Sequence, residues 1–524
     1  MRLLTAAEMR AVDHATIAAG TPGTTLMQRA GDGVAEALER HWGSVLALRV
    51  LVLAGPGNNG GDGFVAARAL AARGARVAVA LCAPEARGSE TARVMLDRLD
   101  GTGVLVRVVP DAAALTALVA TLDHWDFVID ALLGTGAVGE PRGVLADACR
   151  LVNSLHGQGT RVLAVDMPTG VGSDDGRAGE HAVRADLTVT FGHARRGHWL
   201  WPGRGHCGAI EVVDIGLVTP EQAGIAPAAL TNARELAPLV PVRDARAHKG
   251  RTGRVLLVGG APGMTGALVL AARAAVRAGA GYVRVAAPAS LQDVLAAHLV
   301  EPMVIGCGED EARTLTATAL PRILAEAERA DAVAIGSGMS TRPHAAMLVR
   351  ELATHLAKPL VLDADALTAL SPAADVLVPA LRLAPAPRIL TPHLGEMQRL
   401  SGQSPAELES RRIDAAKGWA QRWGAVIVLK GAPTVVAAPD GRVSVNPTGG
   451  PALATAGTGD VLTGTLVALL AQGLNAYDAA RLATYAHGRA GDLAERAQGP
   501  LGVTASDVIA LLPQALREIA GSRS

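Results

Sequence analysis

Apolar residues along this chain fall in short unbroken runs, separated by longer Ala-rich stretches in which apolar positions recur at helical spacing. Before residue 217 the runs are 49–54, 77–81, 127–131, 162–165, 187–191 and 210–213. Their length suits strands, and in most of them, LTVTF at 187–191 apart, the absence of polar alternation points to burial on both faces, as in a parallel sheet covered by helices. Stretches between them, such as 64–73 and 111–122, read as those helices. The alternation resumes with runs 254–258, 282–286, 332–335, 360–362 and 426–429. Between the two series, 217–246 reads LVTPEQAGIAPAALTNARELAPLVPVRDAR, with four prolines and no strand pattern. Proline lacks the N–H that a sheet ladder needs, so this stretch is the predicted linker. The expected fold class is α/β, two tandem domains: a doubly wound sheet in 1–222, a linker at 223–245 and a second α/β domain in 246–524, with only 521–524 frayed.

Composition narrows the function classes. Of 524 residues, 49% are hydrophobic and 19% charged, which excludes a disordered chain, while 2% aromatic content gives no stacking platform for nucleic acid. Lys plus Arg (49) balances Asp plus Glu (49), so no net field gathers polyanions or anionic lipid. Cys82, Cys149, Cys207 and Cys307 stand far apart, which argues against a zinc site or a disulfide framework and for a reducing compartment. Glu8 and Arg10 interrupt any leader-like apolar segment, and 461–474 is too short for a bilayer. A cytoplasmic protein is expected, with no nucleic-acid or membrane partner.

The candidate chemistry lies where strands end. After the run 49–54, the segment GPGNNGGDG places Asn58, Asn59, Gly60, Gly61 and Asp62 in a predicted turn before the helix 64–73. Such a turn offers backbone N–H groups and a helix N-terminus to a phosphate or pyrophosphate, although the Walker spacing is absent. Asp130 in IDALLGTGAVGEPRG and Asp166 in AVDMPTG leave two further strand ends, and in a doubly wound sheet such ends converge on one crevice. Either Asp serves equally well as a helix cap when taken alone. Oxygen donors from Asn59, Asp130 and Thr169 suit a hard cation. In the second half, Gly457-Thr458-Gly459-Asp460 precedes the predicted helix 461–470, an anion hole with a carboxylate beside it; Asp460 is either a helix cap or a base that deprotonates an attacking hydroxyl. His393 and Glu396 in TPHLGE, and Lys430 to Thr434, follow other short strands. Glu396 has the reach for a magnesium ion held by a nucleotide, directly or through water; His393 reads as structural or as a ligand contact, and Lys430 as a solvated charge or a phosphate partner.

GPGNNGGDG, DALLGTG and DMPTG, in that order and extending to about Cys207, resemble the epimerase domain of the NAD(P)H-hydrate repair enzymes. HKG, GMTGA, GSG, TPHLGE, KG-x-x-T and GTGDVLTG, from about His248 to Ala510, resemble the ribokinase-like superfamily and, within it, the ADP-dependent dehydratase of NAD(P)H hydrates. The resemblance implies a Rossmann-like first domain and a ribokinase-like α/β/α second domain. It implies that Asn58, Asn59, Gly60, Gly61, Asp62, Gly134, Thr135, Gly136, Ala137, Val138, Gly139 and Glu140 bind the damaged dinucleotide, with Asp166 at the nicotinamide end. Asn59, Asp130 and Thr169 would then hold a potassium ion. In the second domain Ala267, Gly338, His393 and Asp460 would contact the hydrated dinucleotide, and Lys430, Gly431, Ala432, Pro433, Thr434 and Gly459 the adenine nucleotide. Met167 and Thr169 stand where Ile and Ser are commoner in the family, and Ser337 where Pro is commoner. The implied activity interconverts (R)- and (S)-hydrates and dehydrates the S form with ADP, releasing AMP and phosphate, with Asp460 as base and Asp166 as acid–base group of the epimerase. Implied partners are the hydrates, an adenine nucleotide and further copies of the chain as a homo-oligomer. The residues by themselves leave two alternatives open: a small-molecule kinase, which would leave a stable phosphate ester, and a first domain recruited for ligand sensing or scaffolding.

Overall fold

The computed structural model describes residues 1–82, 89–246, 248–371 and 374–522. They form two compact units, Met1–Pro227 and Ala228–Ser524. In the first, β1 (Arg2–Leu4) pairs in parallel with β8 (Ala194–Arg195). The main sheet uses β2 (Arg49–Ala54), β3 (Arg76–Leu81), β4 (Leu105–Val108), β5 (Phe127–Ala131), β6 (Arg161–Val165), β7 (Leu187–Phe191) and β9 (Ala209–Val213). Their order is β4-β3-β2-β5-β6-β7-β9, all parallel. From β2 the chain builds outward to β4 and returns to β5 on the other side, so the switch point lies between β2 and β5. Alternation along β2 shows why it reads as an unbroken apolar run. Val50 and Val52 pack with Leu26, Val34 and Leu38 of the helix Gly23–Trp42, while Leu51 and Leu53 pack with Leu115, Val152 and Leu155 on the opposite face.

The second unit contributes β10 (Ala228–Leu230), β11 (Arg254–Val258), β12 (Tyr282–Pro288), β13 (Met303–Cys307), β14 (Ala332–Ile335), β15 (Leu360–Leu362), β16 (Arg388–Leu390), β17 (Val426–Leu429), β18 (Thr434–Ala437) and β19 (Val443–Asn446). Their order is β13-β12-β11-β14-β15-β16-β17-β18-β19-β10, parallel as far as β17 and antiparallel through β18 and β19. Here the switch point falls between β11 and β14. The 217–246 stretch, expected to lack strands, contains β10, which pairs in parallel with β19 and gives residues 228–230 to the second sheet. Each apolar run falls on a strand, but β13 and the buried β18 and β19 lie outside the runs. β4, half exposed at the sheet edge, and the three-residue β10 and β16 carry too few apolar positions to stand out. Gly521 closes the last helix, Ala505–Gly521, and residues 523–524 of the tail expected to be frayed lie outside the described residues.

Candidate active sites

In the first unit the expected phosphate turn is a helix. Asn58–Ala72 is helical from its first residue, capped by Gly57, so Asn58 to Asp62 form its opening turn and more. The glycines are there for close approach rather than for a turn. A Cβ on Gly60 would lie 2.2 Å from the Gly55 carbonyl oxygen, and one on Gly63 would lie 2.6 Å from Ala131 Cβ, so the helix rests directly on the ends of β2 and β5. Asp62 is therefore the fifth residue of the helix and does not open it.

A cleft of about 600 Å³ lies over these strand ends. Asn58, Asn59, Asp62, Gly134, Thr135, Gly136, Ala137 and Asp166 line it, together with Asp13 and Arg195, which the sequence reading did not select. Gly60 and Gly61 are buried behind it, and Val138 is 99% exposed in the loop that follows β5. Glu140 packs near Gly179, where a Cβ would lie 3.2 Å from the glutamate Cγ, and Gly139 has φ +84°.

Asp166 adopts φ +64° just after β6, an uncommon conformation for a non-glycine residue. Its carboxylate accepts from Thr135 N (2.9 Å), Thr135 Oγ1 (2.5 Å), Thr190 Oγ1 (3.0 Å) and Arg195 Nη2 (3.0 Å). Burial pushes its pKa up, but the Arg195 charge and the Thr135 donors outweigh that and hold it below the ordinary value. His198 Nδ1 accepts from Arg195 N (2.9 Å), which leaves the proton on Nε2 to donate to the Asp166 carbonyl (2.7 Å). Burial lowers this histidine to about 4, so it is a neutral brace. Asp62 is the opposite case: burial, Asp166 and Asp13 together raise it well above the ordinary carboxyl range. Asp13 is raised to about 6 by burial, with Arg195 pulling down and Asp166 pushing up. Thr190 is the last residue but one of β7, Arg195 ends β8 and His198 lies in the turn after it, so applying the strand-end rule to the run 187–191 would have pointed to this stretch.

Asp130 is a strand residue, the last but one of β5, and is fully buried. It accepts from Thr169 Oγ1 (2.7 Å), Thr169 N (2.7 Å) and Leu132 N (3.2 Å), yet burial still raises it to about 6. Asn59 is 7% exposed, and neither its amide nitrogen nor its oxygen has a hydrogen-bond partner. A Cβ on Gly134 would lie 2.9 Å from Asn59 Oδ1 and 3.0 Å from Asp166 Oδ2, so these two side chains converge on that glycine.

In the second unit, Gly338 (φ +55°) lies against the helix Thr265–Arg277, where a Cβ would meet the Met264 carbonyl oxygen at 2.4 Å and Ala267 Cβ at 3.3 Å. That brings Ala267 and Gly338 together. Asp460 is the third residue of the helix Thr458–Ala471, whose cap is Gly457 at φ +91°, so the capping reading of Asp460 does not apply. Burial and the neighbouring Asp363 raise it to about 6, against the Ser337 hydroxyl and Lys430. Lys430 Nζ lies 2.8 Å from Asp363 Oδ1 and 3.8 Å from Glu396 Oε2, and a Cβ on Gly459 would be 3.7 Å from it. Although burial opposes its charge, Asp363 and Glu396 raise its pKa, so it stays an ammonium. His393 does have the structural role: Nδ1 accepts from Gly395 N (3.0 Å) and Glu396 N (3.3 Å), while His393 N donates to Glu396 Oε2 (2.8 Å), a reciprocal cap on the helix Leu394–Ser401. Its Nε2 lies 3.5 Å from Glu396 Oε1, on a side chain that is 55% exposed.

The segment from Lys430 to Pro433 is shaped by Arg412, which is 1% exposed and absent from every motif. Arg412 donates from Nε to Pro433 O (2.7 Å) and from Nη2 to Lys430 O (2.6 Å), and it pairs with Glu409. Gly431 (φ +146°) has no room for a side chain, since a Cβ would fall 1.9 Å from Arg412 Nη2. Thr434 Oγ1 donates back to Gly431 O (3.1 Å). Among the described residues no three His, Cys, Asp or Glu side chains are grouped to hold a metal, and no helix is long and apolar enough to cross a membrane.

Residues 255–514 match the family model described as NAD(P)H-hydrate dehydratase, and residues 23–197 the one described as YjeF-related protein N-terminus. The chain is 42% identical over 527 aligned residues to a bifunctional NAD(P)H-hydrate repair enzyme of Moorella thermoacetica, covering 99% of this chain and 97% of that one. It is 39% identical to the enzyme of the same description from Salinibacter ruber, covering 98% and 96%. Among solved structures, the ADP/ATP-dependent NAD(P)H-hydrate dehydratase of Bacillus subtilis, co-crystallized with ATP and Mg²⁺, aligns with 56% of this chain and 99% of its own at 31% identity and a TM-score of 0.48. With the relatives matched over nearly their whole length and motif-bearing residues clustered in each unit, the chain belongs to the bifunctional NAD(P)H-hydrate repair family.

Proposed function

We propose that the protein returns hydrated NADH and NADPH to the usable pool, the first unit interconverting the two epimers and the second dehydrating the S form with ADP. The observation that carries this reading is the 42% identity to a bifunctional repair enzyme over 99% of the chain. In the second unit, the hydroxyl on ring carbon six gives its proton to Asp460 as its oxygen attacks the β-phosphorus of ADP, and the bond to AMP breaks. The lone pair of the ring nitrogen then expels phosphate from carbon six, and loss of a proton from carbon five restores the dihydropyridine. Lys430 and the backbone N–H groups opening the helix Thr458–Ala471 oppose the charge on the transferred phosphoryl group. A nucleotide-borne magnesium ion, which would neutralise phosphate charge, fits Glu396 reaching it through water. The absence of a three-carboxylate cluster among the described residues fits an ion held mainly by phosphates and water.

In the first unit, Asp166 is proposed to sit at the nicotinamide end. Four donors hold it ionised, so it suits stabilising the cationic ring left when the hydroxyl departs. Asp62, kept neutral by its surroundings, is the nearby group with a proton to give to that hydroxyl and to recover from the water that re-adds. The unpartnered Asn59 amide and the buried Asp130–Thr169 pair fit a potassium ion, which would supply positive charge beside a carboxylate that lacks it. That predicts a higher melting temperature in potassium than in lithium chloride at equal ionic strength, a difference that Asp130→Asn abolishes. Equal melting in both salts counts against the ion. For the activity itself, the separated epimers of hydrated NADH are supplied with and without ADP and reduced-nicotinamide absorbance is followed. Recovery of both epimers with ADP is expected; no recovery from either overturns the reading.

A further inference from the structure

The centre of the second unit is built around a carboxylate that none of the motifs contains. Asp363 directly follows β15 and is 1% exposed. Three side chains from three other elements donate to it: Thr391 Oγ1 after β16 (2.6 Å), Lys430 Nζ after β17 (2.8 Å) and Thr463 Oγ1 in the helix Thr458–Ala471 (2.7 Å). Thr463 stands three residues after Asp460, so both project from the same face of that helix. The backbone at Asp363 is packed equally tightly, since a Cβ on Gly336 would fall 1.9 Å from the Asp363 carbonyl oxygen.

The network matters because of what else Lys430 faces. Its ammonium is 3.8 Å from Glu396 and acts electrostatically on Asp460. A buried cation with no dedicated partner would take its counter-charge from those carboxylates, and a carboxylate recruited to balance a buried ammonium is a poor proton acceptor. Asp363 supplies that counter-charge at hydrogen-bond distance. We propose that Asp363 is a positioning residue of this centre: it clamps the Lys430 ammonium, pins through Thr463 the helix turn that carries Asp460, and spares Asp460 from serving as the counter-ion of Lys430. The charged groups acting on Asp460 agree with this arrangement, because Asp363 and Asp365 favour its protonated form along with burial, and Lys430 opposes them together with the Ser337 hydroxyl.

The inference rests on the dehydratase reading, with Asp460 as base. The test measures kcat/KM for the S-hydrate against pH at saturating ADP in the full-length chain. In the unmodified protein activity falls as Asp460 takes up its proton. Asp363→Asn exposes Asp460 to an uncompensated Lys430, so the acid limb moves to lower pH by about one unit. The plateau falls by about tenfold, since a weaker base transfers the proton less well. Lys430→Met leaves the Asp363 charge unbalanced and moves the limb to higher pH, while the double variant returns it towards the unmodified position. Asp363→Glu retains the charge and keeps the limb in place. A uniform loss of rate in Asp363→Asn with the limb unmoved overturns the inference. Should Asp363→Asn fail to fold by circular dichroism, an unmoved limb in Lys430→Met overturns it instead. Absence of any ADP-dependent recovery by the unmodified chain would overturn the dehydratase reading itself, which separates the two failures.

Discussion

Asp460 stands at the third position of its helix, where a carboxylate contributes about 0.3–1 kcal/mol through the helix dipole. Its raised pKa reverses the balance at neutral pH. A carboxyl whose folded-state pKa lies above its unfolded value stabilises the fold only while protonated, and that contribution is lost as pH rises to about 6. Asp460→Asn should therefore melt no lower than the unmodified protein at neutral pH, while losing about 10²- to 10⁴-fold in ADP-dependent dehydration, the typical cost of a missing general base. Epimerisation in the same variant should be untouched, and near-normal dehydration would remove Asp460 from the role. The unmodified enzyme should lose dehydration activity as pH falls through about 6. This residue was legible because a glycine-flanked carboxylate before an apolar helix has few uses. Asp363 and Arg412 were not, since each stands in an ordinary stretch and acquires its meaning only from partners 28 to 100 residues away for Asp363 and 18 to 21 residues away for Arg412.

At the scale of elements, the buried strands were legible because burial on both faces imposes the unbroken apolar runs, and β2, β5, β7, β11, β14, β15 and β17 carry the bounds expected from those runs. The helix Asn58–Ala72 was misread at its start for an equally physical reason. Glycine and asparagine signal a turn when local propensity decides, but here the Gly55 carbonyl and Ala131 leave no space for side chains on the inner face of the helix. The two explanations predict opposite signs for one substitution. Gly60→Ala in an unconstrained helix would stabilise it by about 1 kcal/mol. With backbone 2.2 Å from the new Cβ, it should instead lower the denaturation midpoint of the first unit and weaken epimerisation, because Asn59 and Asp62 move with the helix. A raised midpoint would show that the segment has the freedom of a loop.

For the whole molecule, the hydrophobic clusters divide as the chain does. Those containing Val50, Leu51 and Leu4 draw only on residues before 228, and those containing Leu257 and Val461 only on residues after it. Each group of candidate residues also lies within one unit: Asn59, Asp62 and Asp166 line the cleft of the first, and Asp363, Lys430 and Asp460 cluster in the second. A stereospecific dehydratase strands one epimer, so joining an epimerase to it gives both forms a route to NAD(P)H, and that logic needs linkage rather than a shared site. Cutting between Pro227 and Ala228 should then yield two soluble fragments, each with a cooperative melt of its own, since a domain that holds its own core folds alone. The cut must fall there and not at residue 245, because β10 completes the second sheet beside β19, and a fragment starting at 246 should melt lower than one starting at 228. The first fragment should interconvert epimers without nucleotide, and the second should dehydrate the S form with ADP and leave the R form to accumulate. Mixing the fragments should restore complete recovery of an equal mixture of the two epimers at a rate that scales with each fragment independently. Fragments that regain structure or activity only when mixed would show instead that the units depend on each other for folding.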